Sequence, residues 1–182
     1  MPTLKTARLT LAFPIMHDNM NLDHYLRWLS NESVTRFSEQ RHVAHTNVTQ
    51  YEYLKSFVDS NDYFWEIQRT GVPIGSVTAF RNIPNRTANV GIMIGAVNLW
   101  GNGYASEALD AVCNFLFEDG CRKIDGGCMA ANQAMISVFE NVGFKYEATI
   151  GGLFLLDGKP EDAVFYGKFN QAKIIPLKRN GN

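Results

Sequence analysis

The sequence predicts an α/β sandwich built on one mostly antiparallel, mixed sheet of about seven strands, with helices on both faces. Three observations carry that prediction. Strand-like runs at 63–69, 72–82 and 87–95 follow one another with only turn residues between them. A loop with two glycines, Asn98-Leu99-Trp100-Gly101-Asn102-Gly103, passes directly into residues with helical apolar spacing. The chain has 182 residues, 46% of them apolar and 19% charged. That suits one globular domain with a sizeable core and argues against long disorder.

Arg8-Leu9-Thr10-Leu11-Ala12-Phe13 alternates polar and apolar residues up to Pro14, the pattern of a first strand. Asp18 or Asn19 can cap a helix that carries Leu22, Tyr25, Leu26 and Leu29 on one side. A polar stretch, 31–45, follows. Thr46 or Asn47 then caps a second helix with Tyr51, Leu54, Phe57 and Val58 turned inward. Thr70-Gly71 and Ile83-Pro84-Asn85-Arg86 are the turns that fold the three central runs into a meander.

Beyond the glycine loop, Tyr104, Ala108, Val112, Phe115 and Leu116 keep helical spacing until Gly120. Residues 122–130 read as a strand with Gly126 and Gly127 in its middle, where glycine marks the close approach of a backbone or ligand. Asn132 caps a helix bearing Ile136, Phe139 and Val142, and Gly143 ends it. Runs at 144–149 and 162–169 finish the sheet as a hairpin around Asp157-Gly158-Lys159-Pro160. The order is β-α-α-β-β-β-α-β-α-β-β. It describes one domain over 1–170 and a loose tail at 171–182.

A net charge of −1 offers no basic field to nucleic acid or to an anionic membrane. No signal segment or spanning apolar run is evident. Cys113, Cys121 and Cys128 match no zinc spacing and read as reduced core thiols of a cytoplasmic protein. His42-x-x-His45 would be half of a metal site, without further ligands at the right spacing, so no metal is expected. A dinucleotide fingerprint is disfavoured: the third glycine is missing and the loop follows a meander.

The glycine loop has its own chemistry. Gly101 and Gly103 leave the backbone accessible, and the helix that starts at Tyr104 begins with unpaired N–H donors. Amides and helix dipole together can seat an anion such as a pyrophosphate. A ligand-free strand-to-helix turn would use the same two glycines.

Three motifs, in order and at matching spacing, give a resemblance to a family. They are Arg8-Leu9-Thr10-Leu11, Trp100-Gly101-Asn102-Gly103-Tyr104-Ala105, and the helix from Asn132 to Gly143-Phe144. Together they resemble the GNAT (general-control-type) acyl-CoA N-acetyltransferases, in particular the branch with the ribosomal-protein N-terminal acetyltransferases. The resemblance covers Leu4 to about Asn170. It implies that the fourth and fifth of the seven strands splay apart and that the pantetheine arm of acetyl-CoA lies in the gap. Ile92, Met93 and Ile94 would offer backbone hydrogen bonds. Trp100, Gly101, Asn102, Gly103, Tyr104, Ala105 and Ser106 would surround the pyrophosphate. Asn132 and Phe139 would touch the arm. Gly126 and Gly127 fit such a gap, and a bulge would explain them equally.

The implied reaction is acetyl transfer from acetyl-CoA to an amine. Proximity in one cleft, an oxyanion donor near Ile94 and a route for the amine's proton are its requirements. Two departures stand out. Asn89 occupies the place where many members carry Glu, and Phe139 the place of a Tyr acid. An amide takes no proton at neutral pH but can orient a water. The segment 37–46 supplies replacements: Glu39 and His45 as catalytic candidates alongside Asn89, and Ser38, Arg41 and His42 with Tyr166 for the acceptor. Asp162 is a further candidate lining residue. Similar Glu-Gln-Arg…His-Thr segments occur in members tied to surface-polysaccharide synthesis, which implies an amino sugar. A protein N-terminal α-amine is the alternative acceptor. A non-catalytic acyl-CoA sensor is the alternative of another class. The expected partner is a small-molecule amine, with neither nucleic acid nor membrane, for a monomer or homodimer.

Overall fold

In the computed structural model, which describes residues 1–17 and 20–171, the run at 8–13 contributes β2 (Thr10–Ala12). A two-residue strand, β1 (Leu4–Lys5), folds back on it and pairs Leu4 with Leu11. The meander follows as β3 (Tyr63–Arg69), β4 (Val72–Asn82) and β5 (Thr87–Ile94). Next come β6 (Lys123–Met129), β7 (Lys145–Leu156) and β8 (Lys159–Phe169). Among the described residues the sheet therefore has eight strands rather than seven, in the order β1-β2-β3-β4-β5-β6-β8-β7. The extra strand is β1, too short for its periodicity to show. All neighbours are antiparallel except β5 and β6.

The helices are α1 (Asp23–Leu29), α2 (Glu32–Thr35), α3 (Asn47–Lys55), α4 (Tyr104–Glu118) and α5 (Gln133–Val142). The first starts later than expected, with Leu22 at its N-cap and Asn21 Oδ1 accepting the Asp23 N–H at 2.8 Å. The expected caps Asp18 and Asn19 lie outside the described residues, as does 172–182. The polar stretch 31–45 is not a plain loop. It holds α2 and a 3-10 turn at Glu39–His42, each started by a side-chain oxygen: Asn31 accepts from Ser33 N–H, and Ser38 from Gln40 N–H. Such short turns carry no apolar period to read. Thr46 caps α3 through a reciprocal box with Thr49. Because α3 ends at Lys55, Val58 is exposed rather than inward, while Phe57 stays buried.

Alternation along β3 divides the core between the two faces of the sheet. Trp65 and Ile67 join Leu109, Val112 and Leu116 of α4 and Phe139 of α5. Phe64 points the other way, to Tyr25 and Trp28 of α1 and Leu54 of α3. Each of these side chains, fully buried, contributes roughly 1.5–3 kcal/mol.

The last hairpin is longer than the pattern predicted, because β7 and β8 stay paired up to Leu156 and Lys159. Asp157 and Gly158, with φ of 53° and 75°, form the two-residue turn. A register shift between Ile150 and Phe154 bends β7, and Asp162 Oδ1 accepts the Gly152 N–H there at 2.8 Å. Asp162 is thus occupied in shaping the hairpin.

Gly126 and Gly127 mark a close approach, as expected, and the groups that approach most closely are aromatic rings. A Cβ on Gly126 would lie 2.8 Å from the Phe139 ring, and one on Gly127 would lie 2.9 Å from the Phe165 ring. The β6–β8 register runs through both without a shift. Aromatic rings, rather than a bulge, take up the space of the missing side chains, and Gly127 also lines the cleft described below.

Candidate active site

β5 and β6 are paired only from Thr87–Lys123 to Asn89–Asp125. At the last pair, Asn89 Nδ2 donates to Asp125 Oδ1 at 2.7 Å and clasps the strands where they part. Beyond it the gap opens into a cleft of about 620 Å³ lined by Ile92, Met93 and Ile94 of β5 and by Gly127 and Cys128 of β6. The same cleft continues past Asn132 and Phe139 of α5, along the glycine loop, and out to α2 and the 3-10 turn.

At one end stands the glycine loop. Gly101 and Gly103 have φ of 76° and 78°, a left-handed backbone that glycine adopts without strain. Gly103 is the N-cap of α4 and brings no side-chain cap. The first-turn N–H groups therefore keep no side-chain partner, as an anion seat requires. Asn102 turns inward instead, its Nδ2 donating to the carbonyls of Leu99 and Trp100 at 3.0 and 3.1 Å. Trp100 Nε1 donates to the Ile94 carbonyl at 2.7 Å, tying the loop to the end of β5.

The sequence reading gave no role to Glu107, nor to Arg8 beyond its motif. Arg8 Nε donates to Glu107 Oε2 at 2.6 Å, Arg8 N–H to Oε1 at 3.0 Å, and Arg8 Nη1 to the Asn102 carbonyl at 3.0 Å. The Thr6 hydroxyl also donates to Glu107, and the Arg8 guanidinium lies 4.4 Å from the Tyr104 ring centre. Two motifs almost a hundred residues apart are thus one clamp around the loop. The signal was there: an Arg before β2 and a Glu in the first turn of α4.

At the other end the wall is made of Leu29, Ser33, Val34, Phe37, Ser38 and Gln40. Trp28 holds this wall against the sheet, with its ring where a Cβ of Gly95 would lie.

A family model for the acetyltransferase (GNAT) domain matches residues 8–145. The chain belongs to the GNAT acetyltransferase family. No curated protein matches it in sequence. Solved structures share the fold of this GNAT domain at low identity. RimL, a ribosomal L7/L12 α-N-protein acetyltransferase in complex with coenzyme A, superposes with a TM-score of 0.82 at 16% identity over 94% of this chain and 99% of that one. The spermidine N-acetyltransferase from Vibrio cholerae, with CoA and spermine, gives 0.77 at 19% over 90% and 96%. The microcin C7 self-immunity acetyltransferase MccE, with acetyl-CoA and AMP, gives 0.73 at 17% over 91% and 94%.

Within this GNAT domain, most residues expected to touch the acyl donor line one cleft: Ile92, Met93, Ile94, Trp100, Gly101, Gly103, Tyr104, Ala105, Ser106, Asn132 and Phe139. Asn102 shapes the loop from behind. Asn132 also caps α5, accepting the Met135 N–H at 3.1 Å. Phe139 is almost wholly buried and stacks on Tyr166 at 5.3 Å, so Tyr166 supports the cleft floor from below.

The residues expected to move protons sit elsewhere. Ser38 and Gln40 line the cleft, whereas Glu39, Arg41, His42 and His45 stand outside its wall. Glu39 is exposed and ion-paired with Arg41 at 3.2 Å. Arg41 is a structural bolt, donating to the carbonyls of Arg36, Ser38 and Leu155 at 3.0, 3.2 and 2.9 Å. His45 bridges the Gln40 carbonyl (3.2 Å) and the Gln50 amide (3.1 Å). Asn89 donates through Nδ2 to Asp125 and is not part of the cleft lining. The 3-10 turn explains the positions of Glu39, Arg41 and His42, because its tight pitch aims successive side chains to different sides.

Cys128 lines the cleft and was expected only as a core thiol. Burial pushes its thiol up to about 11, so it remains protonated at neutral pH. Among the described residues no group of three or more His, Cys, Asp or Glu gathers as a metal site would require, and no helix is long and apolar enough to cross a membrane.

Proposed function

We propose that this GNAT acetyltransferase uses acetyl-CoA to acetylate the primary amine of a small, hydroxyl-rich molecule such as an amino sugar. The observation that carries the reading is the single continuous cleft. It runs from an anion seat at the glycine loop, through the parted strands, to a wall of short hydroxyls, an amide and apolar side chains. The fit to a CoA-type donor rests on the uncapped start of α4 and the left-handed Gly101 and Gly103. RimL and MccE, named with CoA and acetyl-CoA, support that donor for the fold.

Acetyl-CoA supplies the activated acetyl group. The protein's own contribution is placement. The amides of the loop and of Tyr104, Ala105 and Ser106 hold the diphosphate, with Arg8 and Glu107 keeping the loop in shape. The free edge of β5 at Ile92 holds the arm in line, and Asn132 and Phe139 bound it. Ser33, Ser38 and Gln40 meet hydroxyls of the acceptor, while Leu29, Val34 and Phe37 pack against its carbon frame. Much of the acceleration then comes from holding both partners in one cleft. Glu39 and His45 act through the 3-10 turn that they steady.

The test is release of free thiol from acetyl-CoA with a panel of nucleotide-linked and free amino sugars, polyamines, aminoglycosides and short peptides. Turnover on the amino sugars is the expected result. Turnover confined to peptides would replace the acceptor with a protein α-amine. Acetyl-CoA binding by calorimetry without turnover on any amine would favour the sensor reading, and no binding would overturn the donor.

A further inference from the structure

Among the described residues, no Asp, Glu, Lys, Arg or His side chain lines any part of the cleft, and the ionisable groups on its wall are the Tyr104 hydroxyl and the Cys128 thiol. Charged groups on the surrounding elements are engaged elsewhere or turned outward. His24 on α1 meets the buried Glu66 at 3.0 Å. Arg36, just past α2, pairs with Asp157 at 2.8 Å, and Glu39 pairs with Arg41. His45 is bonded to Gln40 and Gln50, Asp125 on β6 to Asn89, and Glu107 on α4 to Arg8. Glu32, His42 and Glu140 are exposed and stand outside the wall.

An ammonium group entering this wall loses its hydration and gains no counter-charge from the described residues, so the neutral amine is the favoured form. Among the described wall residues the half-buried Cys128 thiol, pushed up to about 11 by burial, stays protonated at neutral pH and is not suited to take its proton. We propose that the cleft selects its acceptor by basicity. It takes a primary amine weak enough to be substantially neutral near pH 7.5, on a body that carries no further positive charge. This rests on the acetyl-transfer reading above. The amine lone pair forms the C–N bond, the thioester C–S bond breaks, and the proton shed by nitrogen leaves with the CoA thiol.

The size of the selection follows from ordinary acidities. At pH 7.5 about a third of an amine resembling an α-amino group is neutral, against about one in eight hundred of a lysine-like amine. The advantage is about 250-fold before any contact is counted. Ring-carbon amines of sugars belong to the weaker class, because neighbouring oxygens withdraw electron density. Spermidine, whose amines are lysine-like and whose body is polycationic, belongs to the other.

The deciding experiment measures kcat/KM against pH with the full chain and acetyl-CoA. The acceptors are glucosamine, the more basic 6-amino-6-deoxyglucose, and spermidine. Each profile should rise with pH and level off at that acceptor's own ammonium pKa, with spermidine at least a hundredfold slower near pH 7.5. One break point shared by all acceptors would reveal an enzymic base and overturn the inference. Spermidine turnover matching that of the sugars would also overturn it. Either result leaves the transfer reading intact. Absence of thiol release from every amine at every pH would bring down both.

Discussion

Glu107 receives the Thr6 hydroxyl, the Arg8 amide and the Arg8 guanidinium within the first turn of α4. Burial pushes its carboxyl upward, but the hydrogen bonds from Thr6 and Arg8 and the charge of Arg8 outweigh that and hold it below its ordinary value of 4.5. A lowered acid stabilises the fold above that ordinary value, and the contribution is lost as the pH falls through the lower folded value. Glu107→Gln should therefore lower Tm at pH 7, and the gap to wild type should narrow as the pH drops below 4.5. Because Arg8 is nearly half exposed, the clamp is worth about 1 kcal/mol rather than a buried pair's larger figure. Loosening of the loop should also raise the acetyl-CoA Kd, by at most about fivefold, the equivalent of that energy. Calorimetry with the variant measures the second effect. A Tm gap that stayed constant into acid would show that the carboxylate charge is not what the clamp uses.

At the scale of elements, β6 and α5 meet through one glycine. The Phe139 ring lies where a Gly126 side chain would go, and the Val90 carbonyl is 3.1 Å from the same point. Gly126→Ala should overpack this contact and cost about 1–3 kcal/mol. Phe139→Leu alone should also destabilise, by opening a void. Combined, the two should cost at least 1 kcal/mol less than their sum, a coupling of the size seen between touching residues. Chemical denaturation of the four proteins in the cycle gives the answer directly. Strict additivity would mean that the glycine serves something other than the ring. The glycine pair was legible as a close approach, but the element that approaches could not be read locally.

For the whole molecule, the cleft wall at α2 and the 3-10 turn depends on contacts between distant parts of the chain. Arg41 reaches the Leu155 carbonyl on the last hairpin, and Arg36 reaches Asp157 at its tip. Arg41 is largely buried and serves three carbonyls, whereas Arg36 and Asp157 are both at least half exposed. Arg41→Ala should cost about 1–3 kcal/mol of stability and raise the acceptor KM, with acetyl-CoA affinity unchanged. Arg36→Ala should change stability by less than about 1 kcal/mol. Steady-state kinetics with each substrate varied in turn, plus thermal unfolding, separates the two. A loss of acetyl-CoA affinity in the Arg41 variant would show that the two ends of the cleft are coupled.

The sequence by itself determined the meander, the helix after the glycine loop, a cap at Thr46 or Asn47 and the family, because each is carried by neighbours within a few residues or by motifs at fixed spacing. Periodicity and turn chemistry are local quantities. It could not show β1 or the turns within 31–45, which are too short to display a period. Tertiary structure alone decided which polar residues face the cleft. Glu39 and His45 have the chemistry of proton carriers and Asn89 that of an amide that orients a water, but a 3-10 turn, two amide partners and Asp125 hold them outside the cleft wall. Side-chain type is written in the chain. Orientation depends on partners supplied from elsewhere in it, and here those partners leave a cleft wall without charge among the described residues.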